Sequence, residues 1–222
     1  MRKSLLSSIF ILAIMGIGFN ASAQFMNQYD VAIGFAGGQR SLSLSAQKQF
    51  SIGAKQRLKL NLGLRFSTIG FGELEYYSAP IDYFLIPEKT DTLVLSNSGQ
   101  NNLAIMLGAS YLIKNKIELG FNIDAVGYTF GQSRTATFNP QGANITDEVS
   151  PNQITALLVG ANDIGMVKAE FFGAYRINDK LAIRLGLANS FVEYKTSTEL
   201  QTGNDRFRGI SSMPFVAARI TL

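Results

Sequence analysis

The chain of 222 residues contains no histidine and no cysteine. A Ser-His-Asp or Cys-His nucleophile cannot be assembled without them, and a zinc site would be left with carboxylates alone. Paired carboxylates can cleave glycosides, but no spacing singles out a pair. We therefore assign no catalytic, metal-binding or cofactor-binding residues and expect a protein that is not an enzyme. The charged residues follow a different pattern. Asp30, Arg57, Lys59, Arg65, Glu118, Asp124, Lys168, Glu170, Arg176, Arg184 and Arg219 all fall on the polar phase of segments that alternate polar with apolar. Charges withdrawn from bulk water must be paired or solvated, because an isolated buried ion is very costly.

The alternation is clearest in "RLKLNLGLRF", residues 57–66, where Leu58, Leu60, Leu62, Leu64 and Phe66 lie opposite Arg57, Lys59, Asn61, Gly63 and Arg65. Successive strand side chains point to opposite faces, so this is one greasy wall and one charged wall. Eight such segments run along the chain, at about 28–37, 41–52, 56–70, 101–113, 116–131, 166–177, 181–196 and 209–222. Each can cross a membrane as a tilted strand, which takes about 9 to 11 residues. Tight turns at Gly53-Ala54-Lys55, Lys114-Asn115-Lys116 and Asn178-Asp179-Lys180 follow segments two, four and six, and the other connections follow the odd segments. An up-and-down meander places all the tight turns at one end.

The first residues read as an export signal. Arg2 and Lys3 precede an apolar run from Leu5 to Phe19, and Ala21-Ser22-Ala23 is a small-x-small cleavage site. The expected division is a signal peptide over 1–23 and one domain over 24–222. Without Arg2 and Lys3 the basic residues outnumber the acidic by only two, which gives no reason to expect nucleic acid as a partner. Charged residues are 16% of the chain, against about 25% in soluble domains.

The signal peptide, eight amphipathic segments and alternation of short and long connections resemble the small OmpA-type outer-membrane barrels of Gram-negative bacteria. The resemblance implies an all-β fold: an eight-stranded antiparallel up-and-down transmembrane β-barrel behind a cleaved signal peptide, in the cell outer membrane. It implies short periplasmic turns, long external loops and contact with outer-membrane lipid and lipopolysaccharide, with a monomer expected. The enzymes among outer-membrane barrels rely on a histidine that this chain lacks. Such chains often finish on an aromatic residue, whereas this one ends "ARITL".

A soluble lipocalin-like barrel is the competing fold, with the apolar wall turned inward. Small residues on the polar wall argue against it: Ala32, Gly34 and Ala36, Gly108 and Ser110, Gly120, then Gly186, Ala188 and Ser190. The interior of an eight-stranded barrel is only just wide enough for side chains, so small residues make room for long ones. On that reading Asp30 meets Arg219 where the barrel closes, and Glu118 meets Arg176 above neighbouring tight turns. The charges then act as a static filling, with a narrow pore for small solutes as the alternative. Lys48, Asn189 and Glu193 break the apolar phase, and the phase slips between Ala125 and Val126, as at a bulge.

Two long connections are candidates for surface interaction. The first combines Glu73, Glu75, Asp82, Glu88 and Asp91 with Tyr76, Tyr77, Tyr83 and Phe84, a composition suited to a protein or glycan partner. A solvated extension of the strands is the plainer alternative. The second contains "SPNQITALLVG", where Ser150, Pro151, Gln153 and Gly160 fit the start and stop signals of a short helix, and an extended hairpin is the alternative. Asn144 in "NIT" matches a glycosylation acceptor that a bacterial context makes incidental.

Overall fold

The computed structural model describes residues 25–79, 86, 90–138, 145–158, 162–199 and 203–222. The segment 1–23 read as a signal peptide, Asn144 and the loop residues Asp82 and Tyr83 lie outside the described residues.

Alternation in the sequence becomes alternation in space. In the strand Leu58–Phe71, Leu58, Leu60, Leu62 and Leu64 are exposed, while Lys59, Asn61, Arg65 and Ser67 are buried. The same inversion holds along the other long strands. In chain order these are β1 (Phe25–Ala36), β2 (Gln39–Ile52), β3 (Leu58–Phe71), β4 (Glu73–Ser78), β5 (Thr92–Ser96), β6 (Gly99–Ile113) and β7 (Ile117–Phe130). They are followed by β8 (Arg134–Phe138), β9 (Ile145–Pro151), β10 (Ile154–Ala156), β11 (Val167–Arg176), β12 (Leu181–Thr196) and β13 (Arg206–Thr221). All thirteen belong to one sheet whose pairings are antiparallel, and no α-helix occurs among the described residues.

The long strands pair in the order β1-β2-β3-β6-β7-β11-β12-β13, and β13 pairs back onto β1, which closes the ring. Gly37 and Gly38, with φ of 51° and 80°, turn β1 into β2. Two successive positive φ values match the right-handed twist of a hairpin, and glycine reaches them without a Cβ clash. The phase slip in β7 is a bulge: Ile105 faces Val126 and Met106 faces Asp124, leaving Ala125 as the extra residue. Both charged side chains of β7, Glu118 and Asp124, precede the bulge and share the inward face.

The expectation of eight strands joined by loops is corrected by β4, β5, β8, β9 and β10, which build five further strands from the expected loop segments. At the loop end the pairings β12-β13-β4-β5-β8-β9 return to β12, closing a second, smaller ring. The physical cause is edge satisfaction. β11 starts at Val167 opposite Phe191, so the upper ends of β7 and β12 are each left with one open edge, on the side facing β11. β10 pairs with β7 at Tyr128, and β9 pairs with β12 at Tyr194, which satisfies backbone groups that an edge would leave open. This also corrects the short helix read at "SPNQITALLVG": Ser150 and Pro151 lie in β9 and Ile154–Ala156 forms β10.

The second ring has an apolar core. Tyr76, Leu93, Phe138, Val149, Tyr194 and Phe207 are fully buried there, continuous with Ile69, Phe71 and Met213 of the main ring. Leu93→Ala is expected to loosen this cap by about 2–3 kcal/mol, through lost transfer energy and the cavity left behind. Limited proteolysis should then cut the residues of β4 to β9 faster, while urea unfolding of the long strands stays unchanged.

Candidate functional site

Inward phases of the eight long strands converge on one ion network. At the tight-turn end Glu118 lies 3.5 Å from Arg176, 3.8 Å from Lys59 and 2.9 Å from Arg219. Arg219 lies 2.8 Å from Asp30, across the seam where β13 closes onto β1. Asp30 also takes Arg184 at 2.7 Å, and Arg184 reaches Glu170 at 3.0 Å. Glu170 holds Arg65 at 3.1 Å and Lys168 at 3.4 Å, and Arg65 lies 2.7 Å from Asp124. Ten of the eleven charges expected inside are thereby joined without a break. Arg57 is the exception: it is exposed in the turn before β3, where its backbone oxygen accepts from Leu112 N. The alternation was extended one residue too far at a turn that had already released its side chains to solvent.

Six cations face four anions in this network. The surplus is met by neutral groups and rings that charge pairing alone does not reveal. Lys59 donates to Gln49 Oε1 at 2.9 Å, Lys168 to Ser43 Oγ at 2.5 Å, and Arg65 to the Lys168 carbonyl at 2.7 Å. The Arg184 guanidinium lies 4.0 Å from the Phe172 ring centroid, and Arg219 lies 5.4 Å from the same ring. Negative ring faces stabilise cations withdrawn from water. Gln49 and Phe172 both sit in the inward phase, so period two places them there; what it does not disclose is which charge they serve.

Every carboxylate of the network is engaged by a basic group, and among the described residues no cluster of three or more potential ligands could hold a metal ion. The arrangement offers packing and charge compensation. Arg65, Arg184 and Arg219 are among the largest fully buried side chains.

The loop surface divides along the same two-residue period. Glu73, Glu75 and Tyr77 are exposed on β4, with the Tyr77 hydroxyl donating to Glu75 Oε2 at 2.5 Å. Tyr76, read as part of that surface, is instead buried: its hydroxyl lies 2.8 Å from Ser98 Oγ and its ring meets Tyr194 edge-on at 5.3 Å. A strand forms where a loop was expected, so adjacent tyrosines face opposite ways.

Glu193, one of the three residues that break the apolar phase, is fully buried under the cap. It accepts from Asn152 Nδ2 and Gly165 N at 3.0 Å each and pairs with Arg206 and Arg208 at 2.8 Å. Asp147 on β9 accepts from Ser197 Oγ at 2.5 Å and from Thr198 Oγ1 at 2.7 Å. These bonds, the one from Ser197 above all, lower its pKa to about 2. A depressed carboxylate stabilises above its unfolded value of about 3.9 and loses that contribution as pH falls through the folded value. Protection of the Thr198 amide, its exchange rate taken relative to that of an unstructured peptide at the same pH, is accordingly expected to be full at pH 5 and to fall as pH falls toward 2, a dependence that Asp147→Asn abolishes.

No protein-family model matches the chain, and no curated protein does. Among solved structures it is similar to Neisserial surface protein A, at 10% identity and a TM-score of 0.44, covering 91% of this chain and 100% of that one. It is also similar to Ail, the attachment invasion locus protein of Yersinia pestis, at 9% identity and a TM-score of 0.33, covering 89% and 97%. A de novo designed transmembrane β-barrel matches at 10% identity and a TM-score of 0.35, covering 89% and 94%. At these scores the likenesses carry no argument, and the function is read from the chain's own surface and interior.

Proposed function

We propose that the chain is an integral, non-enzymatic β-barrel of the bacterial outer membrane, with a structural or surface-interaction role exerted at its loop end. The observation that carries this is polarity. Large apolar side chains are exposed on all eight long strands, among them Ile33, Leu44, Leu64, Leu107, Leu119, Phe171, Leu185 and Val216, while the charges lie inside. Water-soluble monomers seldom expose a contiguous apolar patch beyond a few hundred Å², whereas lipid requires one. Strands of 10 to 16 residues meet the length needed to cross, about 9 to 11 residues. A soluble ligand-binding barrel would carry the opposite polarity. Tight turns then face the periplasm and the capped end faces outward, where Glu73, Glu75 and Tyr77 are available to a protein or glycan partner. Lipopolysaccharide and phospholipid are the surrounding partners, and the chain acts as a monomer.

The packed ion network and its apolar roof favour a closed interior over a narrow pore. Purified protein refolded into lipid vesicles is expected to migrate faster on gels before heating than after, and to be electrically silent in planar bilayers. Reproducible unit steps that change with Glu170→Gln would replace this reading with the pore. Recovery in the periplasmic fraction without detergent would remove it altogether.

A further inference from the structure

At the loop end, the outward faces of four neighbouring segments change character at one level. On β2 the outward column runs Leu44, Leu42, Arg40, and on β3 it runs Phe66, Thr68, Gly70. On β6 it runs Leu103, Asn101, Gly99, and beyond β7 it runs Phe130, Gln132, Arg134. Arg40 pairs with Gly70, and Gly70 with Gly99, so this boundary crosses the sheet directly. A groove of about 730 Å³ lies along it. Its apolar wall includes Ile33, Leu42 and Phe130, with Phe35 beside Arg40, and its polar rim carries Arg40 and Arg134 with Asn97 and Gln132.

Charge sets these two arginines apart. At the loop end Lys195 is paired with Asp205 at 2.9 Å, and Arg206 and Arg208 share Glu193. Arg40 and Arg134 are exposed, have no acidic partner among the described residues, and line a groove that contains no acidic residue among those that form it. Arg40 lies over Gly70, where a Cβ would come within 3.2 Å of its Nε. Two guanidinium groups above an apolar wall, with amide side chains between them, match one kind of occupant: phosphate for the arginines, sugar hydroxyls for the amides and acyl chains for the wall.

We propose that this groove binds a phosphorylated glycolipid of the outer leaflet, held by Arg40 and Arg134 at its phosphates. The proposal rests on the membrane reading above, which sets the groove at the height of the outer headgroups. A basic residue at an anionic lipid surface contributes about 1 kcal/mol, or roughly fivefold in affinity.

The test uses the refolded full chain in zwitterionic detergent micelles, with diphosphoryl lipid A as the probe and calorimetry as the readout. The expected result is saturable binding that weakens roughly 25-fold in R40Q/R134Q, and by a similar factor for wild type when the glycolipid is dephosphorylated. Arg57→Gln, at the opposite end of the barrel, should leave binding unchanged. Absence of binding by the folded wild type, equal binding by the folded double variant, or equal affinity for the dephosphorylated probe overturns the proposal. Inorganic phosphate binding as tightly as lipid A would assign the groove to a soluble anion and overturn it too. Gel heat-modifiability is measured on every variant: a wild type that never folds as a barrel contradicts the membrane reading, while unchanged binding in a folded double variant sinks the glycolipid site alone.

Discussion

Glu170→Leu is expected to lower the unfolding free energy of the inserted barrel by about 3–5 kcal/mol, the usual cost of removing one partner from a buried ion pair. Glu170 lies within 3.4 Å of Arg65, Lys168 and Arg184, all three buried. Its loss raises the excess of cations in the network from two to three. Asp30 retains Arg184 and Asp124 retains Arg65, so Lys168 loses its only paired carboxylate among the described residues. Glu170→Gln keeps an acceptor for Arg184 Nη2 and should cost less than the leucine variant. Urea titration in vesicles, read by the gel shift, measures both; equal losses for the two variants would mean that the lost charge sets the whole cost and that the acceptor retained by glutamine contributes nothing.

Gly186→Val should abolish the folded band. A Cβ at Gly186 would stand 2.0 Å from the Phe171 carbonyl oxygen and 2.9 Å from Phe172 Cα. Both are backbone atoms of β11, so no rotamer change relieves the contact and the two strands must separate. They would separate beside Phe172, the ring that backs Arg184 and Arg219. We expect a penalty of about 3 kcal/mol or more. Gly173→Ala is the matched control on the neighbouring strand, since its Cβ meets only Leu119 Cδ2 at 3.7 Å; it should fold normally.

How much of this was legible in the sequence depended on length and register. Strands of ten residues or more disclose their inward face by alternation, which is why Asp30 and Arg219 could be paired across 189 positions and lie 2.8 Å apart. Arg57 failed because periodicity does not mark where a strand ends. β4, β5 and β8 also alternate, with Tyr76, Leu93, Leu95, Ala136 and Phe138 turned inward, but at five or six residues each they are too short to cross a membrane and read as loop. Their cap exists only because β7 and β12 outrun β11, a difference in strand length that appears once the strands are paired. The groove at Arg40 and Arg134 was hidden for a related reason: the two arginines are 94 positions apart in the chain and share a surface only after the sheet has curved.

The central claim is that the outward leucines meet lipid. The chain has no cysteine, so a single introduced cysteine carries a nitroxide at one known position. Labels at residues 60, 62, 64, 185 and 187, all outward, should collide with oxygen dissolved in the acyl region of the vesicles and stay shielded from a water-soluble nickel complex. A label at exposed Arg57, beside the tight turn, should show the reverse. Nickel accessibility at the leucine positions equal to that at residue 57 would contradict a membrane-embedded barrel.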